Sequence, residues 1–269
     1  MSSAVKTIAL LSHFSPTRPE IGLSELCRLA GRDKASTHRY LQALEETGFV
    51  EQNPLTKSYR LGPVVLQLAR TRELTVPRKA GADAVISRLA DATGETTHVS
   101  VLSGSTVYPL ASCESYKHST RVIIDVLTFP LHATASGICA LAFGPADLMT
   151  TAVADMPAFT VDTPTTSDAL EREVQMARET GFGRSERGYE DDVCSLSTPI
   201  FDQTGHFAGA VSVASVATRF TAEQERDIQR HLIGASREIS HNWGGKVPAS
   251  VESVWSKSIA EQSSRESTS

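Results

Sequence analysis

Cysteine is scarce in this chain, and what there is does not cluster. Cys27, Cys113, Cys139 and Cys194 form no C-x-x-C pair, which argues against a structural zinc site, a redox dithiol or a disulfide framework. No apolar run approaches the roughly 18 residues of a membrane span. The N-terminal stretch AVKTIALLSHF has too short an apolar patch for a signal-peptide core, and no cleavage-like site follows it. The expectation is a cytoplasmic protein with no membrane partner. Phosphate-loop, nucleophile-elbow and metal-ligand motifs are missing, so no catalytic residue, metal or cofactor is assigned. No internal repeat is apparent.

What is present is ordinary in amount and uneven in placement. The chain has 269 residues, 40% hydrophobic and 21% charged, a globular composition with length for two domains. Net charge is −5. Residues 1–80 hold 12 Lys and Arg against 7 Asp and Glu, a balance of +5, and the remainder carries −10. Such asymmetry hints at a polyanion-binding part joined to something else.

In the first eighty residues, Ala4, Val5, Ile8 and Leu11 recur at helical spacing, so residues 4–14 read as a helix stopped by Pro16 and Pro19. A short helix follows, with Ser24 at its N-cap or first turn, Leu23, Leu26, Leu29 and Ala30 as its stripe, and Gly31 closing it. Asp33 is a good N-cap for a third helix whose buried face is Tyr40, Leu41 and Leu44 and which Gly48 ends. Two short helices joined by a tight glycine-containing turn make a helix-turn-helix candidate. The second helix of such a pair turns its N-terminal residues to base edges in the major groove. Here those residues are Lys34, Ser36, Thr37, His38 and Arg39, short hydrogen-bonders and cations suited to phosphates or bases. FVEQNPLTKSYRLG then reads as a hairpin bent at Asn53-Pro54, with Lys57 near the tip and Arg60 behind it suited to backbone contacts. Three helices and a hairpin in this order are a winged helix. Pro63 opens a helix to about residue 74 whose apolar face needs a partner, a second copy of the chain being one option.

Beyond Pro77 the pattern alternates between helices and strands. A helix is expected over residues 79–93, a hairpin about Ser103-Gly104-Ser105, a strand at STRVIIDVL (119–127) and a helix from Thr134–Ser136. Asp168 and Glu171 resemble a capping box opening another helix that Gly181 stops. Strands follow at CSLSTPIF and HFAGAVSVASV, then a last helix with Thr221 and Gln224 in capping spacing. On the strand over 207–216, Ala208, Ala210, Ser212 and Ala214 form one face and Phe207, Val211 and Val213 the other, so the small face leaves room for a helix or a ligand. From about residue 245 the Ser-rich chain reads as a flexible tail, with a short helix near Val254–Ile259.

Read together, GLSELCRLAGRDKASTHRYLQALEETGFVEQ with SYRLG, FPLHATASGICALA, and ERGYEDDVCSLSTPIFDQTGHFAGAVSVAS resemble the IclR family of bacterial transcription regulators over about residues 4–243. Strands meandering with helices at both ends already suggest an α+β sensory domain with a largely antiparallel sheet, and the resemblance implies the same class. Residues 1–62 would form a winged helix-turn-helix, 63–78 a linker helix and 79–244 a GAF-like effector-binding domain, with a tail over 245–269. It implies a homodimer or dimer of dimers on a double-stranded promoter operator, tuned by a small organic effector, with repression as the expected sense. Its effector positions fall on Ala135 and Ser136 at a helix start, Asp191 or Asp192, Ser195, Ser212, Arg121, which could hold a carboxylate bidentately, and His118 at the border. The family often has more residues between Gly188-Tyr189 and the next strand. Ala214 stands where some members carry a hydroxyl, and Ile138-Cys139 replaces the more usual Lys-Ala. A less polar pocket and a larger, aromatic acid follow from that.

Two other readings compete. An enzyme would use Cys194 as nucleophile with His132, His98 or His206 as base. A signalling module would use its winged helix to contact protein instead of DNA, against which the Ser36–Arg39 cluster and the basic N-terminal half argue.

Overall fold

The structure is a computed structural model that describes residues 2–15 and 17–266. It divides into two compact units, Met1–Pro77 and Arg78–Ser269.

The first unit starts with α1 (Ser3–Ile8), which tightens into a 3₁₀ turn over Ala9–His13. Pro16, expected to stop it, lies outside the described residues. Next come α2 (Leu23–Ala30) and α3 (Lys34–Glu46), joined by Gly31 in the left-handed conformation that a side chain would strain. Ser24 falls in the first turn of α2, whose cap is Gly22. Strands β1 (Val50–Gln52) and β2 (Tyr59–Leu61) form the antiparallel wing. Leu26, Tyr40, Leu41, Leu44, Val50 and Tyr59 close one small core with Leu10, Phe14 and Ile21. Helix α4 (Pro63–Thr75) begins on its helix-compatible proline and buries none of its residues.

The second unit is built on a five-stranded antiparallel sheet of order β4-β3-β7-β6-β5. The strands are β3 (Thr96–Ser103), β4 (Thr106–Cys113), β5 (Gly183–Glu186), β6 (Val193–Phe201) and β7 (Phe207–Val216). Helices α5 (Arg78–Thr93) and α9 (Ala222–Asn242) cover one face, packing on Val99, Leu196, Val211 and Val213. Helices α6 (Ala135–Phe143) and α8 (Ser167–Thr180) build the other side with α7 (Leu148–Ala154). Strand alternation assigns the side chains: Thr97 turns to α5, donating its hydroxyl to the Ile86 carbonyl at 2.8 Å, while His98 turns to α6.

Four expectations need correction. STRVIIDVL forms no strand; residues 121–126 run without regular structure. The cap of α8 is Thr166, whose Oγ1 accepts from the Ala169 N–H at 3.3 Å, so Asp168 is a first-turn acid. Ala208 packs with Val211 and Phe207 with the α6 side, because the β6–β7 register slips between Ile200 and Phe201 and reverses the faces. The chain after 245 is no flexible tail across its described part: α10 (Ala249–Glu266) docks Val251 and a fully buried Trp255 into the α5–α9 core. Helix α7 and strand β5 had no counterpart in the sequence reading, and residues 267–269 lie outside the described residues.

Candidate nucleic-acid interface and ligand cleft

Asp33 caps α3 by accepting the Ser36 N–H at 2.8 Å, and these hydrogen bonds hold its carboxyl below the usual carboxylate range. The cap fixes which side chains of the first turns face outward. Lys34, His38 and Arg39 are exposed and Ser36 is half-buried. Thr37 is fully buried, its hydroxyl donated to the Asp33 carbonyl at 2.9 Å, so it braces the helix start and leaves the contact set. The Arg39 guanidinium lies 5.5 Å from the Tyr40 ring centre and that of Arg32 lies 6.0 Å away. Arg32 is a second cation at the start of α3 that sequence reasoning passed over, although it directly precedes the cap.

On the wing, Asn53 Oδ1 accepts the N–H groups of Leu55 and Thr56, forming the tip, and Lys57 sits exposed with a positive φ of 59°. Arg60 is exposed but engaged: its Nε is 2.6 Å from Glu51 and a terminal nitrogen is 3.6 Å from Glu20. Its charge is partly spent on these two carboxylates, one on the wing and one before α2.

In the second unit a pocket of about 50 Å³ opens at the start of α6. Thr134 caps the helix with a 3.0 Å bond from the Gly137 N–H, and its carbonyl takes the Ile138 N–H. The N–H groups of Ala135 and Ser136, in the first turn, have no acceptor within the helix. Gly183 on β5 lets α6 come close, since a Cβ there would meet the Ala135 carbonyl oxygen at 2.4 Å. The walls are Val122, Ile124, Val126 and Phe129 from the irregular segment, Ser185, Tyr189 and Glu190 from β5 and its following loop, and Ser195 and Ala214 from the sheet. Thr163 Oγ1 donates to the Gly188 carbonyl at 2.7 Å and Ser185 Oγ to that of Ala133 at 2.7 Å, pinning the loop beside α6.

His98 also lines this pocket. Its ring stacks on Phe129 with centres 4.8 Å apart. Nε2 is 3.2 Å from Ser136 Oγ, which is 2.9 Å from Ser212 Oγ. Nδ1 is buried with no hydrogen-bond partner. Burial pushes the imidazole pKa down to about 4, so the ring is neutral at ordinary pH.

Of the expected effector positions, the structure brings Ala135, Ser136 and Ser195 to the pocket, with Ser212 behind Ser136. Four others lie outside its lining. Arg121 is ion-paired with Glu114 and lies 4.7 Å from the Tyr116 ring centre, outside the lining. His118 is likewise outside it, beside Gly94. Asp191 and Asp192 are exposed and turned away by the tight turn in which the Val193 N–H meets the Glu190 carbonyl at 3.1 Å; the acid at the pocket is Glu190. His98, which lines the pocket, was not among the expected effector positions. Its signal was a polar residue among alternating strand positions.

The thiol pairs of the enzyme reading are not assembled. Cys194 is buried, and burial raises its thiol pKa with a smaller contribution from Glu186. His98 is bonded to Ser136, His132 to the Pro157 carbonyl at 2.9 Å and His206 to Thr204 at 2.7 Å.

A winged helix with a cationic second helix, and a separate sheet domain with a small-molecule cleft, define a ligand-responsive transcription regulator as the class. Residues 3–54 match the IclR helix-turn-helix domain, and residues 76–241 match the bacterial transcriptional regulator IclR C-terminal domain. The chain belongs to the IclR family. Among curated relatives, the glycerol operon regulatory protein of Streptomyces coelicolor is 27% identical over 89% of this chain and 94% of its own length. A solved structure described as an IclR transcriptional regulator from Silicibacter sp. TM1040 is 37% identical, covers 93% of this chain and 99% of that one, and superposes with a TM-score of 0.84. An IclR homologue from Microbacterium hydrocarbonoxydans, solved in complex with 4-hydroxybenzoate, shares the fold at 20% identity and a TM-score of 0.72, covering 89% of this chain and 100% of that one.

Proposed function

We propose that this regulator is a repressor whose operator affinity is set by a small, planar organic acid held in the α6 cleft. The observation that carries the reading is the cleft's division into a polar head and an apolar body. The N–H groups of Ala135 and Ser136 and the His98 ring form the head, and Phe129, Val122, Ile124 and Val126 form the body. A helix N-terminus suits a carboxylate, and the aliphatic and aromatic walls suit a ring; the 4-hydroxybenzoate complex of the Microbacterium homologue is in keeping with that class. A ring needs more room than the 50 Å³ pocket offers. The segment 121–126 has no strand pairing and supplies the walls that move outward.

DNA is contacted by Lys34, Ser36, His38 and Arg39, with Lys57 on the wing and Arg60 in a lesser part. Two copies join through α4, as a homodimer or dimer of dimers. Effector binding shifts the population of arrangements that fit two half-sites. The protein works in the cytoplasm and catalyses no reaction.

The test is a salt titration of binding to DNA upstream of its own gene against a scrambled duplex, with and without benzoate-class acids. Tighter binding to the native duplex, a steep fall with salt and release by an acid support the reading. Equal binding to both duplexes, across neighbouring promoters and with acids present, would replace it by the protein-contact reading.

A further inference from the structure

The cleft has no lysine or arginine in its lining; its ionisable members are His98, Tyr189 and Glu190. Around His98, α6 and β7 present only hydroxyls (Ser136 and Ser212), and the segment before α6 presents Phe129. Strand β4 carries no charged residue, and Arg121 is tied to Glu114 outside the lining. The charged residue of the lining is therefore Glu190, which is exposed to solvent and offers an anion no positive partner.

An acid entering as its anion sets a negative charge among the apolar walls Val122, Ile124, Val126 and Phe129, with no cationic side chain in the lining. Only the partial positive charge of the α6 N-terminus opposes it. Burying a charge without a full partner is costly, and a proton removes the cost. The structure offers a place for that proton. His98 is a residue of the cleft lining; its Nδ1 is buried and has no partner, while Nε2 is held by the Ser136–Ser212 pair.

We propose, resting on the acid-effector reading above, that the cleft takes a carboxylic acid together with one proton, shared between the ligand carboxylate and Nδ1 of His98. The proton comes from solvent on binding and returns on release; no covalent bond other than N–H or O–H forms or breaks. Burial keeps the imidazole neutral in the empty protein, with a pKa of about 4. Ring and acid are then both unprotonated near neutral pH, and the dissociation constant rises about tenfold per pH unit. The protein is thereby a better acid sensor in acidified cytoplasm.

The experiment is calorimetric titration of the full chain with benzoate, phenylacetate and pyruvate from about pH 6 to about pH 8.5, in phosphate and in Tris. Expected is uptake of one proton, read as a binding heat that depends on the buffer's ionisation enthalpy, with the tenfold slope in affinity. In His98→Gln, whose amide donates without taking a proton, both vanish; the wild-type heats carry the test if that variant fails to fold. Binding of an acid with no proton uptake and no pH slope overturns the proposal and leaves the acid reading standing. If none of the acids binds at any pH, the acid reading falls and the proposal with it.

Discussion

Glu95 is fully buried and meets Arg219 through two hydrogen bonds of 2.9 and 2.8 Å, while Gln224 adds a third at 3.0 Å. The cluster ties the start of α9 to the turn between α5 and β3. Arg219→Met would strand a buried carboxylate and should cost about 3–5 kcal/mol in urea unfolding. Glu95→Gln keeps an acceptor and should cost visibly less; equal losses would show that charge is not what matters there. His98 has the opposite character, a buried ring with no charge partner. Its folded pKa of about 4 lies below the ordinary 6.5, so the unfolded chain binds the proton more readily. Its contribution to stability is complete above about pH 6.5 and is lost as pH falls toward about 4, by roughly 3 kcal/mol in all. Unfolding free energies at pH 7 and pH 5 should therefore diverge less in His98→Gln than in the wild type. On the DNA side, Arg39→Ala should cost about 1–3 kcal/mol of operator binding. Thr37→Val should lower stability and leave the salt slope unchanged, because the hydroxyl is spent on the Asp33 carbonyl. Sequence spacing placed both residues on the right turn of helix. It could not say which of two neighbours points inward once Tyr40 and Leu41 claim the core.

Elements were legible where a local signal sufficed. Asp33, Thr134 and Thr221 cap α3, α6 and α9 with side-chain bonds to the N–H three residues on, and Gly181 with φ 85° stops α8. They were illegible where the partner lies elsewhere in the chain. Residues 122–127 do alternate: Val122 is buried and Ile124 and Val126 are half-buried, while Ile123, Asp125 and Leu127 are exposed. The alternation serves the cleft instead of a sheet, so period alone suggested a strand. The short helix expected near Val254–Ile259 lies within α10, and its stripe of Val251, Val254, Trp255 and Ile259 has helical spacing; what the Ser-rich composition hid is the docking, in which the indole N–H of Trp255 donates to the Gly181 carbonyl at 3.0 Å and the ring lies 6.5 Å from that of Phe182. Trp255→Ala should cost about 3–5 kcal/mol and expose the chain after residue 248 to limited proteolysis. Gly181→Ala should act on the same contact, since its Cβ would fall 2.3 Å from Trp255 Cδ1 in a backbone conformation unfavourable to side chains. A C-terminus equally resistant in both variants would mean that Trp255 does not hold α10.

At the scale of the molecule, charge is segregated by unit. Met1–Pro77 holds 10 Lys and Arg against 7 Asp and Glu, a balance of +3, and the rest carries −8, so net charge favours a polyanion only on the unit that holds the winged helix. One basic unit of this size makes few phosphate contacts, and affinity for a specific site rises steeply when two are linked. Helix α4 belongs to that basic unit and leaves Leu66 and Leu74 each 75% exposed, with Leu68 half exposed. Apolar side chains so exposed along one helix are in keeping with the proposed joining of two copies through α4. Their replacement costs the lone chain little, because exposed positions tolerate change within about 0.5 kcal/mol. A Leu66→Asp, Leu74→Asp double variant should therefore keep the melting behaviour of each unit and the calorimetric response of the cleft to acids. In sedimentation it should shift from dimer or tetramer to monomer, and operator affinity should fall by a factor on the order of 100 or more while binding to a single half-site changes little. Should the variant remain assembled with undiminished operator affinity, α4 is not the joining surface, and the assembly must be sought on the second unit, where Tyr116, Ile123 and Leu127 are also exposed.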